Sequence, residues 1–201
     1  VAKAVIFDYG VGNLLSLKTA LEKAGLSVTI GTTGEDLAKA DAIALPGVGS
    51  FTAALDRLGK VKDTLHTKVS EGTPLLGICL GLQLFFESSE EGPGSGLAYF
   101  EGNVKQLPNT VKVPHMGWNT LSIIKPNFLF DGIAEGTYVY FVHSLYPVPK
   151  DPSIIITKTE YGTTFTSAIA QKNIYGTQFH PEKSGDVGLK ILKNFAKIVV
   201  K

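Results

Sequence analysis

Cysteine, methionine and tryptophan each occur only once in these 201 residues, and that scarcity narrows the chemistry before any motif is read. A single thiol, Cys79, builds no internal disulfide framework and fits a reducing compartment such as the cytoplasm. Nowhere does an apolar run approach the roughly 20 residues that a membrane-spanning helix requires. The run Ala4 to Phe7 has only strand length and ends at Asp8, so it does not read as a signal peptide. No His-x-x-x-His or Cys-x-x-Cys spacing marks a metal site. Internal repeats, low-complexity tracts and linkers are also missing. Charge is balanced, with 19 basic residues interspersed among 18 acidic ones, which leaves no footprint for nucleic acid or an anionic membrane. A soluble, cytoplasmic protein acting on a small molecule is expected.

What is present is a chain 44% hydrophobic, long enough to bury a large core, with residues 1–201 expected to form one domain. The first half alternates strand-like and helical runs: Ala4–Phe7, Leu14 to Ala24, Val28–Ile30, Glu35–Ala40, Ala42–Leu45, Phe51–Leu58, Val61–Val69 and Leu75–Cys79. Leu14, Leu17, Leu21 and Ala24 recur at helical spacing, and Gly25 follows as a stop. This rhythm predicts an α/β protein of three layers, an open and mostly parallel central sheet of flavodoxin-like type flanked by helices. From Leu97 to Phe179 the pattern turns strand-rich, with Val139–Val142, Ile154–Thr159 and Ile174–Phe179 between turn residues and prolines. A last helix, Val187 to Val199, carries Leu189, Leu192, Phe195 and Ile198 on one side.

Three segments carry chemistry. In Gly77-Ile78-Cys79-Leu80-Gly81-Leu82-Gln83 the cysteine sits where a buried strand turns sharply into a helix, with a glycine two positions away on each side. That is the layout of a nucleophile elbow, and the start of a helix favours the thiolate. Alone, Cys79 is as readily a small buried apolar residue. The second segment, Gln178-Phe179-His180-Pro181-Glu182, puts an imidazole and a carboxylate on the same side of an extended stretch, as a base and its orienting group. Thirdly, Leu45-Pro46-Gly47-Val48-Gly49-Ser50 follows another apolar strand. Its free N–H groups, at Gly47 and Val48 with Leu80 beyond the nucleophile, suit an oxyanion hole. All three lie at strand carboxyl ends, where open α/β sheets place their sites. Gly10-Val11-Gly12 lacks the third glycine of a dinucleotide fingerprint because Leu15 stands in its place. His115 and His143 read equally well as satisfied structural histidines.

Together these segments resemble the triad class of class I glutamine amidotransferases. More narrowly, Asp8-Tyr9-Gly10-x-Gly12-Asn13, Pro114-His115-Met116-Gly117-Trp118-Asn119, Tyr140-Phe141-Val142-His143-Ser144 and His180-Pro181-Glu182-Lys183-Ser184 resemble glutaminase subunits of imidazole glycerol phosphate synthase. The resemblance runs from residue 4 to the final helix. It implies the class I amidotransferase fold, a catalytic set of Cys79, His180 and Glu182, and glutamine hydrolysis with no cofactor and no metal. It also implies a heterodimer with a (β/α)8 cyclase of the HisF type, to which ammonia passes in histidine biosynthesis. The family roles fall on Gly49, Gln83, Glu101, Ser144 and Leu145 for glutamine binding, and on Asn13, Met116, Gly117, Trp118, Asn119, Tyr140 and Lys183 for the partner interface. Two other readings stay open: a triad glutaminase serving anthranilate or pyridoxal phosphate synthesis, and a non-catalytic α/β binding protein that keeps an elbow cysteine.

Overall fold

The computed structural model describes residues 1–10 and 14–200. Asn13 therefore lies outside the described residues, as do Val11 and Gly12. The elements run β1 (Lys3–Phe7), α1 (Leu14–Lys23), β2 (Ser27–Gly31), α2 (Gly34–Ala38), β3 (Ala42–Leu45), α3 (Phe51–Leu58), α4 (Lys62–Ser70), β4 (Leu75–Ile78) and α5 (Leu80–Gln83). There follow β5 (Ser88–Ser89), β6 (Gly102–Gln106), β7 (His115–Thr120), β8 (Ser122–Ile123), β9 (Tyr138–His143), β10 (Leu145–Pro149), β11 (Ile155–Glu160), β12 (Thr164–Gln171), β13 (Ile174–Thr177) and α6 (Gly185–Val199).

Strands β1, β3 and β4 are apolar at nearly every position because both of their faces are covered, whereas the edge strand β2 is exposed at three of its five residues. All four residues of β3 and of β4 are buried, as parallel strands between helical layers require. The main sheet has the order β2-β1-β3-β4-β13-β12-β11-β8. Its first five strands pair in parallel, and β12, β11 and β8 add an antiparallel wing. One apolar cluster packs α1 and α6 on one face through Leu17, Leu21, Ile191, Leu192 and Phe195. The other packs α2, α3 and α4 on the opposite face through Leu37, Phe51, Leu58, Leu65 and Val69. On α6 the buried stripe centres on Ile191, Leu192 and Phe195, while Leu189 and Ile198 are only half-buried, so the helix is rotated from the expected face.

Local signals explain several boundaries. Thr33 and Asp36 form a reciprocal capping box at the start of α2. Ser50 caps α3 by accepting from the Ala53 N–H. Strand β12 gives little sign of itself in sequence, since Thr164-Phe165-Thr166-Ser167 reads as polar. Yet Thr166 and Ser167 are buried, with Ser167 sharing a 2.8 Å hydrogen bond with Thr157 of β11. Two smaller sheets complete the fold: β10-β6-β5, and the antiparallel ribbon β7-β9. Along β9, Val139, Phe141 and His143 point inward; on β7, Met116 and Trp118 are exposed.

Candidate active site

The carboxyl ends of β3, β4 and β13 are adjacent in the sheet, and this brings the three chemical segments together. Cys79 follows β4 directly with φ 52° and ψ −105°. A non-glycine residue in this region carries strain of about 1–3 kcal/mol, held by its surroundings. Here the surroundings are backbone. A Cβ on Gly47 would lie 1.8 Å from the Ile78 carbonyl oxygen, and one on Gly81 would lie 2.0 Å from that of Leu45. The 46–50 loop and the elbow thus touch main chain to main chain, which leaves the Leu80 nitrogen beside Gly47. Leu80 opens α5, where the helix supplies no acceptor for its N–H. That helix is a single turn, much shorter than the sequence suggests, so its summed dipole contributes little to a thiolate.

His180 sits beyond the end of β13, buried, with its N–H bound to the Tyr140 carbonyl at 2.9 Å. The expected extended stretch is instead a 3₁₀ turn over Pro181–Lys183. Proline at the first helical position favours such a turn, and the turn still swings Glu182 back to His180. Glu182 Oε1 meets His180 Nδ1 at 2.8 Å. Burial alone would lower the His180 pKa, but the neighbouring Cys79 and the hydrogen-bonded Glu182 carboxylate push it up to about 10. Nε2 itself is buried and has no hydrogen-bond partner of ordinary geometry among the described residues. The thiol points to the Val142 carbonyl at 3.7 Å and accepts from Gln178 Nε2 at 3.4 Å. The Tyr9 hydroxyl is also buried, with no partner among the described residues; burial and the Cys79 charge both hold its pKa well above the usual range.

A cavity of about 240 Å³ opens on this elbow. It is lined by Gly47, Val48 and Gly49 on one side, Cys79, Leu80 and Gln83 below, and Val142 to Leu145 opposite, with Glu91 at its edge. Larger openings, among them one of about 520 Å³ between α1 and α6 and one of about 480 Å³ beside Tyr99, are not lined by Cys79. Glu101 belongs to the second of these, paired with Lys150 on the surface, and does not line the Cys79 cavity. Glu91 occupies the acidic place there, with Oε2 accepting the Phe51 N–H at 2.8 Å. Nothing in the sequence separates the two, because Glu91 reaches the site through a contact across 40 positions. Gln178, quoted above only as a motif neighbour, links Gln83 to the sulfur through a 3.1 Å bond from Gln83 Nε2.

Of the expected interface residues, Met116, Trp118 and Lys183 are exposed, and Trp118 packs edge-on against half-buried Tyr140. Gly117 is half-buried between them. Asn119 turns the other way: its amide nitrogen donates inward to the Glu160 carbonyl at 2.9 Å. Alternation along β7 puts Asn119 on the same face as His115, opposite Met116 and Trp118. Among the described residues no helix is long and apolar enough to cross a membrane, and no group of three or more metal-binding side chains forms.

Residues 5–199 match the family described as Glutamine amidotransferase class-I. The chain is 48% identical over 198 residues to the imidazole glycerol phosphate synthase subunit HisH of Pyrococcus furiosus, covering 98% of this chain and 99% of that protein. It is 47% identical over 195 residues to the HisH subunit of Methanocaldococcus jannaschii, covering 96% and 98%. Among solved structures, PurLQS from Thermotoga maritima superposes with a TM-score of 0.79 at 18% identity, covering 100% of this chain and 99% of that one. A protein from Thermoplasma acidophilum described as a GMP synthase subunit gives 0.76 at 22% identity, covering 99% and 94%, and likewise shows the shared fold. The chain belongs to the class I glutamine amidotransferase family and, within it, to the HisH subunits of imidazole glycerol phosphate synthase.

Proposed function

We infer that this chain is the glutaminase subunit of imidazole glycerol phosphate synthase, working in the cytoplasm as one domain over residues 1–201. It hydrolyses glutamine and passes the ammonia to a (β/α)8 cyclase subunit in histidine biosynthesis. The observation that carries the reading is the buried His180–Glu182 pair acting on Cys79 at the floor of a cavity large enough for one amino acid.

In this reading Glu182 holds His180 through Nδ1, and the ring takes the thiol proton of Cys79 as the sulfur attacks. The sulfur attacks the carboxamide carbon of glutamine, forming the C–S bond and an oxyanion. The Val48 and Leu80 N–H groups, with Gly47 shaping the loop, receive that oxyanion. His180 gives its proton to the nitrogen as the C–N bond breaks, and ammonia leaves. The neutral imidazole then takes a proton from water, which attacks the thioester; glutamate departs and the thiolate returns. Glu91 takes the place assigned from sequence to Glu101, offering a carboxylate to the α-amino group of the substrate. Gly49, Gln83, Ser144 and Leu145 line the rest of the cavity. Met116, Gly117, Trp118, Tyr140 and Lys183 form the face that meets the cyclase.

Acid quenching during turnover, with the cyclase and its nucleotide substrate present, tests the reading by mass. The wild-type chain should carry a glutamyl adduct on Cys79, and Cys79→Ala should carry none and release no glutamate above background. Glutamate release by Cys79→Ala at the wild-type rate would remove the assignment.

A further inference from the structure

The buried ring pair His115–His143 takes no part in the chemistry above, yet its hydrogen bonds run in one direction only. His143 Nδ1 lies 2.8 Å from the Leu145 carbonyl, which only accepts, so Nδ1 carries the hydrogen. A neutral ring then leaves Nε2 bare, and His115 Nδ1, at 2.9 Å, must donate to it. His115 Nε2 becomes an acceptor in turn and receives the Asn119 amide at 3.3 Å. That amide is itself oriented, since Asn119 Oδ1 accepts the Thr120 N–H at 2.7 Å and Nδ2 also donates to the Glu160 carbonyl. Every donor and acceptor is assigned without a choice.

Neutrality of both rings follows from their surroundings. His115 is sandwiched between Tyr161, 3.9 Å away, and Phe141, 4.9 Å away. Burial lowers His115 to about 4 and His143 to about 3. The pair also stands directly across the β7-β9 ribbon, so backbone pairing fixes its register.

At the inner end the chain meets the cavity. The Leu145 carbonyl also accepts Gln83 Nε2 at 3.0 Å, whose other hydrogen goes to Gln178 Oε1 at 3.1 Å. Gln178 Nε2 then reaches the Cys79 sulfur. We propose that His115 and His143 are positioning residues for the glutamine site, which set the Leu145 carbonyl through a hydrogen-bond chain of fixed direction begun by Asn119. Through that carbonyl the Gln83 and Gln178 amides are aimed at the cavity and at Cys79. The inference rests on the cavity taking glutamine, but its physical core, the tautomer of each ring, does not.

The test therefore has two arms. Long-range proton–nitrogen correlation spectra of the full ¹⁵N-labelled chain at neutral pH should show His115 and His143 both neutral and both protonated at Nδ1, with assignment by single substitution among four histidines. In Asn119→Ala the acceptor bond at His115 is lost, and a population of the Nε2–H form of His115 should appear. Either ring found mainly as Nε2–H in the wild type overturns the proposal. In the second arm, glutamine hydrolysis is followed with the cyclase present. Loss of one such bond corresponds to a rise of roughly 3–10-fold in KM for His115→Phe, with kcat moving less. His143→Asn, which keeps a donor at the δ position, should lie closer to wild type than His143→Phe. If the phenylalanine variants fail to fold, Asn119→Ala decides: the KM for glutamine must rise, and an unchanged KM overturns the proposal. A wild-type chain without any glutaminase activity would instead strike at the glutamine reading, leaving the tautomer result standing.

Discussion

Cys79 and His180 come to the same cavity by opposite means. The cysteine is set by main chain: a positive φ, and glycines at 47 and 81 whose missing Cβ atoms let two loops touch carbonyl to Cα. The histidine is set by side chains: Glu182 at Nδ1, and Ser184, whose hydroxyl donates to the His180 carbonyl at 2.6 Å and accepts the Tyr140 N–H at 3.0 Å. A position built from backbone contacts fails when volume is added anywhere nearby. One built from side-chain bonds fails when a charge or donor is removed, while the fold survives. The site therefore joins a rigid nucleophile to an adjustable base.

Replacing the carboxylate tests the adjustable side. Glu182→Gln should leave the fold intact but lower kcat for glutamine hydrolysis by about 10²–10⁴-fold, measured with the cyclase present. It should also change how stability responds to pH. The native His180 pKa, about 10, lies above the ordinary histidine value. The folded state therefore holds that proton where the unfolded state has lost it. The associated stabilisation is complete below about pH 6.5 and disappears as pH rises toward 10. His115 and His143, held at about 4 and 3, act in the other direction, their stabilisation being lost as pH falls from about 6.5 through those values. Urea midpoints across pH 3–10 should thus peak near neutrality, and in Glu182→Gln the alkaline decline should become shallower. An unchanged alkaline slope would mean that Glu182 does not hold His180.

The rigid side is tested by volume. Gly47→Ala places a methyl group against the Ile78 carbonyl and should cost about 2–3 kcal/mol in urea unfolding. Gly72→Ala meets nothing within 4 Å, so only the strain of its positive φ of 94° remains and the loss should be about 1 kcal/mol. Equal losses would show that contact at the elbow is not what matters. The smallest effect belongs to neither side. Glu101→Ala removes a surface pair with Lys150 and should change stability by less than about 0.5 kcal/mol, with the KM for glutamine unaffected.

The same contrast explains what the sequence makes legible. The elbow shows itself because its determinants are local: an apolar strand, a cysteine, and glycines two residues either side. His180 and Glu182 are also visible as a motif, although the turn that joins them is not, since Pro181 decides the local backbone only once Tyr140 and Ser184 have anchored it. Glu91 goes unread, and the inward turn of the Asn119 side chain is invisible, for a different reason. Their directions are chosen by partners 40 and 41 positions away, Phe51 and Glu160, and no periodicity records such contacts. Strand β12 hides because its buried threonine and serine are satisfied by a neighbouring strand rather than replaced by apolar residues.

The solitary sulfur has a practical corollary. With one thiol per chain, and that thiol 7% exposed on the cavity floor, a stoichiometric alkylation reports the occupancy of a single location without any background to subtract. The rate of such labelling, followed as glutamine analogues or the cyclase are added, becomes a direct titration of how open the cavity stands.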